Sequence, residues 1–196
     1  MSRLQIALQD IASYLQRENR GFALVGGLAV SAHAEPRFTR DIDLAVTTTD
    51  DPDTEALVRG LIATGYGVRA TVEQESAGRL ATVRLETPGE GPSAVVVDLL
   101  FASSGVEDEV VRSAEVLEVL PGLRIPVAVV GHLLALKVLS VSPTRPQDSI
   151  DILALLREAK PADIDLARRT AALIVTRGFG RGRDLTANLE EHLLRS

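Results

Sequence analysis

Apolar residues at Leu4, Ala7, Leu8, Ile11, Ala12 and Leu15 fall at helical spacing, which predicts an amphipathic helix over about residues 3–18. The period then shortens. Phe22–Val25 is an apolar run that stops at Gly26 and Gly27, and residues 42–46 form a second run that starts inside an acidic pair, Asp41 and Asp43. The pattern predicts a strand, a glycine turn, a short helix and a second strand carrying the acids. A turn with several candidate caps at 47–53 precedes a helix over about 54–64 that ends near Gly65. Residues 66–73 and 79–86 read as strands around a Glu-Ser-Ala-Gly connection, followed by a Pro/Gly loop at 87–92. The valine-rich run at 94–101 predicts a buried strand. A short helix at 107–114 and strands at 116–120 and 123–126 follow. From there the period is helical, over about 128–140, 148–159, 163–176 and 184–194. Strands first and helices last predict an α+β core at 1–126 with a helical lobe at 127–196 packed on it.

Composition changes this picture little. With 196 residues, 45% of them apolar, the chain can bury its own core. Having no cysteine, it has no disulfide, thiolate metal site or thiol nucleophile. Gln5, Asp10, Gln16 and Glu18 interrupt the N-terminal apolar pattern, and charges and prolines interrupt the most apolar stretch, at 120–141. A soluble, cytoplasmic protein with no membrane partner is therefore expected. A net charge of −6 argues against a general coat of cations for nucleic acid. The charge is uneven, however: residues from Lys160 onward sum to +2 and the remainder to −8.

The chemistry concentrates at 22–46. Asp41 and Asp43 alternate with Ile42 and Leu44, so the two carboxylates share a strand face, about 6–7 Å apart along it. That spacing suits Mg²⁺, a hard cation that bridges carboxylates to substrate phosphates. Gly26 and Gly27 lack Cβ atoms and let a phosphate approach the backbone N–H groups of a helix start. A lone Gly-Gly is usually only a turn and a lone Asp-x-Asp a solvated strand end; their conjunction is far less common. It points to phosphoryl or nucleotidyl transfer. Arg37 and Arg40 suit phosphate contacts or balance the acids that follow. Asp98 interrupts the buried strand and needs a partner, a proton or a site at the sheet edge. Lys137 lies on an apolar helix, where it either snorkels or serves a site. Asp148 and Asp151 open the next helix as caps or as site acids. His33 reads as structural or gating. The basic loop at 178–183 reads as an interhelix linker before an RNA contact.

Val25-Gly26-Gly27 followed by Asp41-Ile42-Asp43-Leu44 resembles the signature of the nucleotidyltransferase superfamily, and the string from Gly26 to Leu44 looks like its AbiEii/MenT branch of bacterial toxin–antitoxin proteins. The resemblance implies a nucleotidyltransferase (polymerase-beta-like) fold with a mixed sheet. It implies Mg²⁺ or Mn²⁺ on Asp41, Asp43 and Asp98, with Asp98 a ligand or the activator of the attacking hydroxyl. Lys137 resembles a cation on the nucleotide phosphates, and Asp148 or Asp151 an acid supporting the site. The implied substrates are an NTP and the 3′ end of tRNA, whose extension blocks aminoacylation. The implied partner is a cognate antitoxin, in some relatives one that resembles a kinase; Thr39 matches the hydroxyl residue it phosphorylates just before the acids. Two other readings share the signature: an antibiotic-modifying nucleotidyltransferase, and a non-catalytic nucleotide- or antitoxin-binding module. Aromatics are only 3% of the chain and by number show no stacking platform for bases or drug rings.

Overall fold

The computed structural model describes residues 2–74, 79–89, 94–142 and 144–195. Helix α1 (Arg3–Arg17) is capped by Ser2, whose hydroxyl accepts from the Gln5 N–H, and it buries the predicted stripe. Strand β1 (Phe22–Val25), helix α2 (Gly26–His33) and strand β2 (Asp41–Val46) follow in the predicted order. Then come α3 (Asp51–Ala63), β3 (Gly67–Gln74), β4 (Arg79–Glu86), β5 (Val96–Leu100), α4 (Glu107–Arg112), β6 (Glu115–Leu120) and β7 (Leu123–Val127). Four helices end the chain: α5 (Val130–Ser140), α6 (Pro146–Glu158), α7 (Pro161–Thr176) and α8 (Leu185–Arg195). The connection expected at 75–78 and the end of the loop expected at 87–92 lie outside the described residues.

Where boundaries differ from the sequence reading, capping chemistry is the reason. Helix α3 begins three residues early because the Asp50 carboxylate accepts from the Asp53 N–H (2.8 Å), with Pro52 in the first turn. Prolines also open α6 and α7, two residues before the acids expected to start them. Proline costs nothing there because the first-turn N–H has no helical partner. Conversely, α5 starts later than expected, since Leu24 pairs with Val127 and the strand runs on.

The strands form one mixed sheet in the order β3-β4-β5-β2-β1-β7-β6. Pairs β1–β2, β3–β4, β4–β5 and β6–β7 are antiparallel, while β2–β5 and β1–β7 are parallel. The center of the sheet is therefore β5-β2-β1, and the acids lie on it. Strand β2 alternates as expected: Ile42 and Leu44 are buried, Asp41 is exposed and Asp43 half-buried. The buried residues of α5 to α8 join those of the sheet and of α1 in one apolar cluster. Helix α2 packs on β2, α5 and α6, so the glycine turn is held between the sheet and the C-terminal helices. Among the described residues no helix is long and apolar enough to cross a membrane.

Candidate active site

Four residues stand side by side across the sheet. Arg84 on β4 is in register with Asp98 on β5, Asp98 with Asp43 on β2, and Asp43 with Val25 at the end of β1. In-register neighbors project from the same face, so the two acids from distant parts of the chain meet directly. Arg84 holds Asp98 through two hydrogen bonds, Nε to Oδ1 at 2.8 Å and Nη2 to Oδ2 at 2.6 Å. Asp98 therefore has the partner its burial demanded, an arginine the sequence reading did not assign to the site. Neither the Asp41 nor the Asp43 side chain makes a hydrogen bond or ion pair with a described residue. Burial, and then the charge of Asp98, push the Asp43 carboxyl up to about 6.

Both glycines are required by what already lies over them. Gly26 has φ of +65°, and a Cβ there would fall 1.9 Å from Asp43 Oδ2. A Cβ on Gly27 would fall 2.6 Å from Arg37 Nη2 and 3.1 Å from Thr39 Oγ1. The glycine turn thus seats the Asp43 carboxylate on one residue and the loop entering β2 on the next. Helix α2 has no side-chain cap, so its first N–H groups remain available beside Asp43. His33 bonds the Ala128 carbonyl through Nε2 (2.8 Å) and ties α2 to the end of β7, a structural role.

Lys137 does not snorkel. It is buried, and Nζ lies 2.9 Å from Asp148 Oδ1 and 2.8 Å from Asp151 Oδ2. Both acids of α6 therefore serve the lysine. Asp151 also takes both Nε (2.6 Å) and Nη2 (2.7 Å) of Arg37, 114 residues away in sequence. Burial works to raise the Asp151 carboxyl, but hydrogen bonds from Arg37 and Lys137 outweigh it and hold the group below its usual value. Arg37 thus pairs with Asp151 on α6 and not with Asp41 or Asp43. Arg40 instead lies over the Phe38 ring, 5.3 Å from its center.

A cavity of about 230 Å³ is lined by Gly26, Asp43, Arg84, Asp98 and Lys137, and also by Arg145 and Arg181. Among the predicted residues, Gly26, Asp43, Asp98 and Lys137 are brought to it together; Asp41, Gly27, Arg37, Thr39, Arg40, Asp148 and Asp151 do not line it. Sequence reasoning missed Arg84, Arg145 and, in its preference for a plain linker, Arg181. Arg183 of the same loop donates to the Val141 carbonyl (2.7 Å) and to that of Leu139, which pins the loop to the end of α5. Arg181, at a positive φ of 55°, makes no hydrogen bond or ion pair with a described residue. Burial, then the charges of Arg183 and Arg145, push its guanidinium below the usual value. Arg145 Nε lies 3.3 Å from Asp148 Oδ2, so Arg181 is the cation at this cavity with no acid on it among the described residues, and such a group suits an anionic ligand.

Among the described residues no group of three or more metal-ligating side chains is drawn together. Asp41 and Asp43, with Asp98 beside them, nevertheless fit a divalent cation of the Mg²⁺ type. Such an ion takes one or two carboxylates and completes its shell with substrate phosphates and water. Asp43, without a cation of its own among the described residues and beside the charge of Asp98, is the group that a cation would relieve.

A family model described as Nucleotidyl transferase AbiEii toxin, Type IV TA system, matches residues 11–195. Among curated proteins none matches significantly. Among solved structures, the chain is similar to an antigenic nucleotidyltransferase-like protein from Paracoccidioides brasiliensis, at 20% identity and a TM-score of 0.54 over 95% of this chain and 92% of that one. It is also similar to the antibiotic-resistance factor ANT(2'')-Ia, at 18% identity and a TM-score of 0.57 over the whole of both chains. A third likeness is a nucleotidyltransferase described as putative from H. pylori, at 13% identity and 0.50 over 99% and 93%. At these identities the likenesses establish the fold alone.

Proposed function

The chain belongs to the AbiEii family of nucleotidyl transferase toxins, and on that footing we propose that it moves a nucleotide from an NTP to the 3′ end of tRNA, blocking aminoacylation. The observation that carries the reading is the single cavity shared by Gly26, Asp43, Asp98 and Lys137. In this reading the 3′ hydroxyl oxygen attacks the α-phosphorus. The bond from that phosphorus to the bridging oxygen breaks, and pyrophosphate leaves. Asp98, oriented by Arg84, accepts the hydroxyl proton. Lys137, Arg145 and Arg181 hold the phosphates, and Gly26 lets them approach the start of α2. Mg²⁺ or Mn²⁺, held by Asp41 and Asp43 beside Asp98, supplies charge neutralization at the attacking and leaving oxygens when bound.

The experiment is incubation with each labeled NTP and either total tRNA or an aminoglycoside panel. Label in tRNA 3′ ends is expected. Label only in aminoglycosides favors an antibiotic-modifying enzyme, in keeping with the likeness to the antibiotic-resistance factor ANT(2'')-Ia. NTP binding without transfer to either favors a non-catalytic module.

The family implies an antitoxin partner. A kinase-like antitoxin would act at Thr39. The Thr39 hydroxyl and the Arg37 guanidinium crowd the same point over Gly27. A phosphate on Thr39 adds about −1.5 to −2 charges there and competes with Asp151 for Arg37. The expected outcome is loss of transfer on modification, checked by mass spectrometry after co-expression with the neighboring antitoxin. An active, fully phosphorylated Thr39 form would end the proposal.

A further inference from the structure

The six aromatic side chains of this protein are not distributed like the rest of its apolar residues. Tyr14, Phe22, Tyr66, Phe101 and Phe179 are each at most 9% exposed, whereas Phe38 is 79% exposed. Its backbone is not free to fold the ring away. Arg37 Nη1 donates to the Phe38 carbonyl (3.2 Å), and the same guanidinium is fastened to Asp151. The Arg37 N–H donates to Ser31 Oγ (3.2 Å), and Thr39 packs on Gly27. A ring held in water at both flanks, with the Arg40 guanidinium 5.3 Å from its center, is a preassembled aromatic–cation pair. Such a pair offers a flat face for stacking and charge for a phosphodiester.

Its place relative to the acids gives it a use. The cavity that holds Asp43 and Asp98 also holds Lys137, Arg145 and Arg181, the cations suited to a triphosphate. Residues 37–41 do not line that cavity. They lead into β2 at Asp41, which is exposed and lies three residues beyond Phe38 in the chain. In an in-line transfer the attacking hydroxyl approaches opposite the leaving pyrophosphate, hence from outside the cation-lined end. We propose that Phe38, with Arg40, is the stacking platform for the terminal base of a single-stranded nucleic-acid acceptor. This rests on the nucleotide-transfer reading above and supplies the acceptor subsite it needs. The count of aromatics offered no platform; the placing of one does. A protein partner is the less favored occupant, because the ring is already paired with a guanidinium and lies between exposed Pro36 and Arg40 in the chain.

The test is a double-mutant cycle on an acceptor-stem RNA hairpin and the same hairpin lacking its terminal base, using the full chain. Phe38→Ala is expected to raise the KM for the intact hairpin about 5- to 150-fold, which corresponds to about 1–3 kcal/mol for one base–aromatic stack. The KM for NTP should move less than about two-fold, and Phe38→Trp should restore acceptor affinity. On the abasic hairpin, Phe38→Ala should add almost nothing, because base and ring are one interaction. Equal losses on both hairpins, or an unchanged acceptor KM, would overturn the proposal while leaving transfer itself intact. Unchanged acceptor kinetics with weakened antitoxin binding would assign the ring to the protein partner and also overturn it. No transfer to RNA by the parent protein would instead sink the reading on which the proposal stands, and the proposal with it.

Discussion

At the residue scale, two neighboring groups in the same site carry opposite stability consequences. Asp43 is half-buried beside Asp98 and seated on Gly26, with no cation partner of its own among the described residues. Asp43→Asn removes a like-charge contact while keeping the shape over Gly26. It is expected to lower transfer by orders of magnitude with a Tm no lower than the parent's, as measured by labeled-NTP transfer and thermal melts. Near-parental transfer would place the metal pair wrongly. Chelation with EDTA should stop the parent in the same assay, and Mg²⁺ should restore it. Lys137 is the reverse case. Its side chain and those of Asp148 and Asp151 are 10%, 4% and 1% exposed, so truncation leaves buried acids short of a cation. Lys137→Met is expected to destabilize by on the order of 3 kcal/mol as well as to abolish transfer. Arg37 still holds Asp151, and Arg145 Nε still lies 3.3 Å from Asp148 Oδ2, so each acid keeps one arginine and loses its buried ammonium. The double variant Lys137→Met/Asp148→Asn should recover part of the lost Tm and none of the transfer. A Lys137→Met variant that melts and turns over like the parent would return the lysine to a packing role.

At the element scale, the entrance to β1 is fastened to α3 by a pair that the sequence pattern did not reveal. Arg20 grips Asp53 through Nη1 to Oδ2 (2.7 Å) and Nη2 to Oδ1 (2.6 Å), and the Thr49 N–H adds a third bond. These contacts, Arg20 first, hold the Asp53 carboxyl down at about 2. A carboxyl whose folded value is depressed contributes stability above its unfolded value of about 3.9. That contribution fades as pH falls from there toward about 2. The Tm difference between the parent and Asp53→Asn should therefore be constant from pH 5 to 8 and shrink between pH 4 and 3. A difference that persists undiminished to pH 3 would remove the clamp. Elements of this kind divide what was legible in the chain from what was not. Strands β1, β2 and β5 were legible because apolar runs bounded by glycine or acid need no partner to be seen. Helix α3 was placed late because Thr54 starts the apolar stripe while Asp50 does the capping. Asp41, Asp43, Asp98 and Lys137 were readable as polar interruptions of apolar elements. Arg84 was not, since only the β4–β5 register sets it against Asp98. Nor was the Arg37–Asp151 bond, which depends on how α6 returns to the sheet.

At the scale of the whole molecule, the question is whether residues 127–196 form a separable lobe or the second half of one folding unit. Helix α5 answers in physical terms. Nine of its residues, Val130 to Ala135, Lys137, Val138 and Leu139, are buried, more than a surface helix hides with one stripe. It packs on α2, α6, α7 and α8, and its apolar residues belong to the cluster that contains the sheet. Polar ties cross the same boundary: Arg37 reaches Asp151, His33 reaches Ala128, and Arg177 reaches Glu109 (2.7 Å). A boundary crossed by both core and ion pairs is not one at which the chain opens separately. Unfolding is therefore expected to be a single cooperative transition, with calorimetric and van't Hoff enthalpies equal. Leu134, fully buried in α5, provides the local test. Leu134→Ala deletes buried methyl groups at a cost of about 2–5 kcal/mol, and should lower that one Tm by roughly 5–15 °C. Hydrogen exchange should then show protection falling by the same factor in β2 and β5 as in α5 and α7. Loss of protection confined to the C-terminal helices, or a second calorimetric peak, would instead make residues 127–196 a lobe that unfolds independently of the sheet.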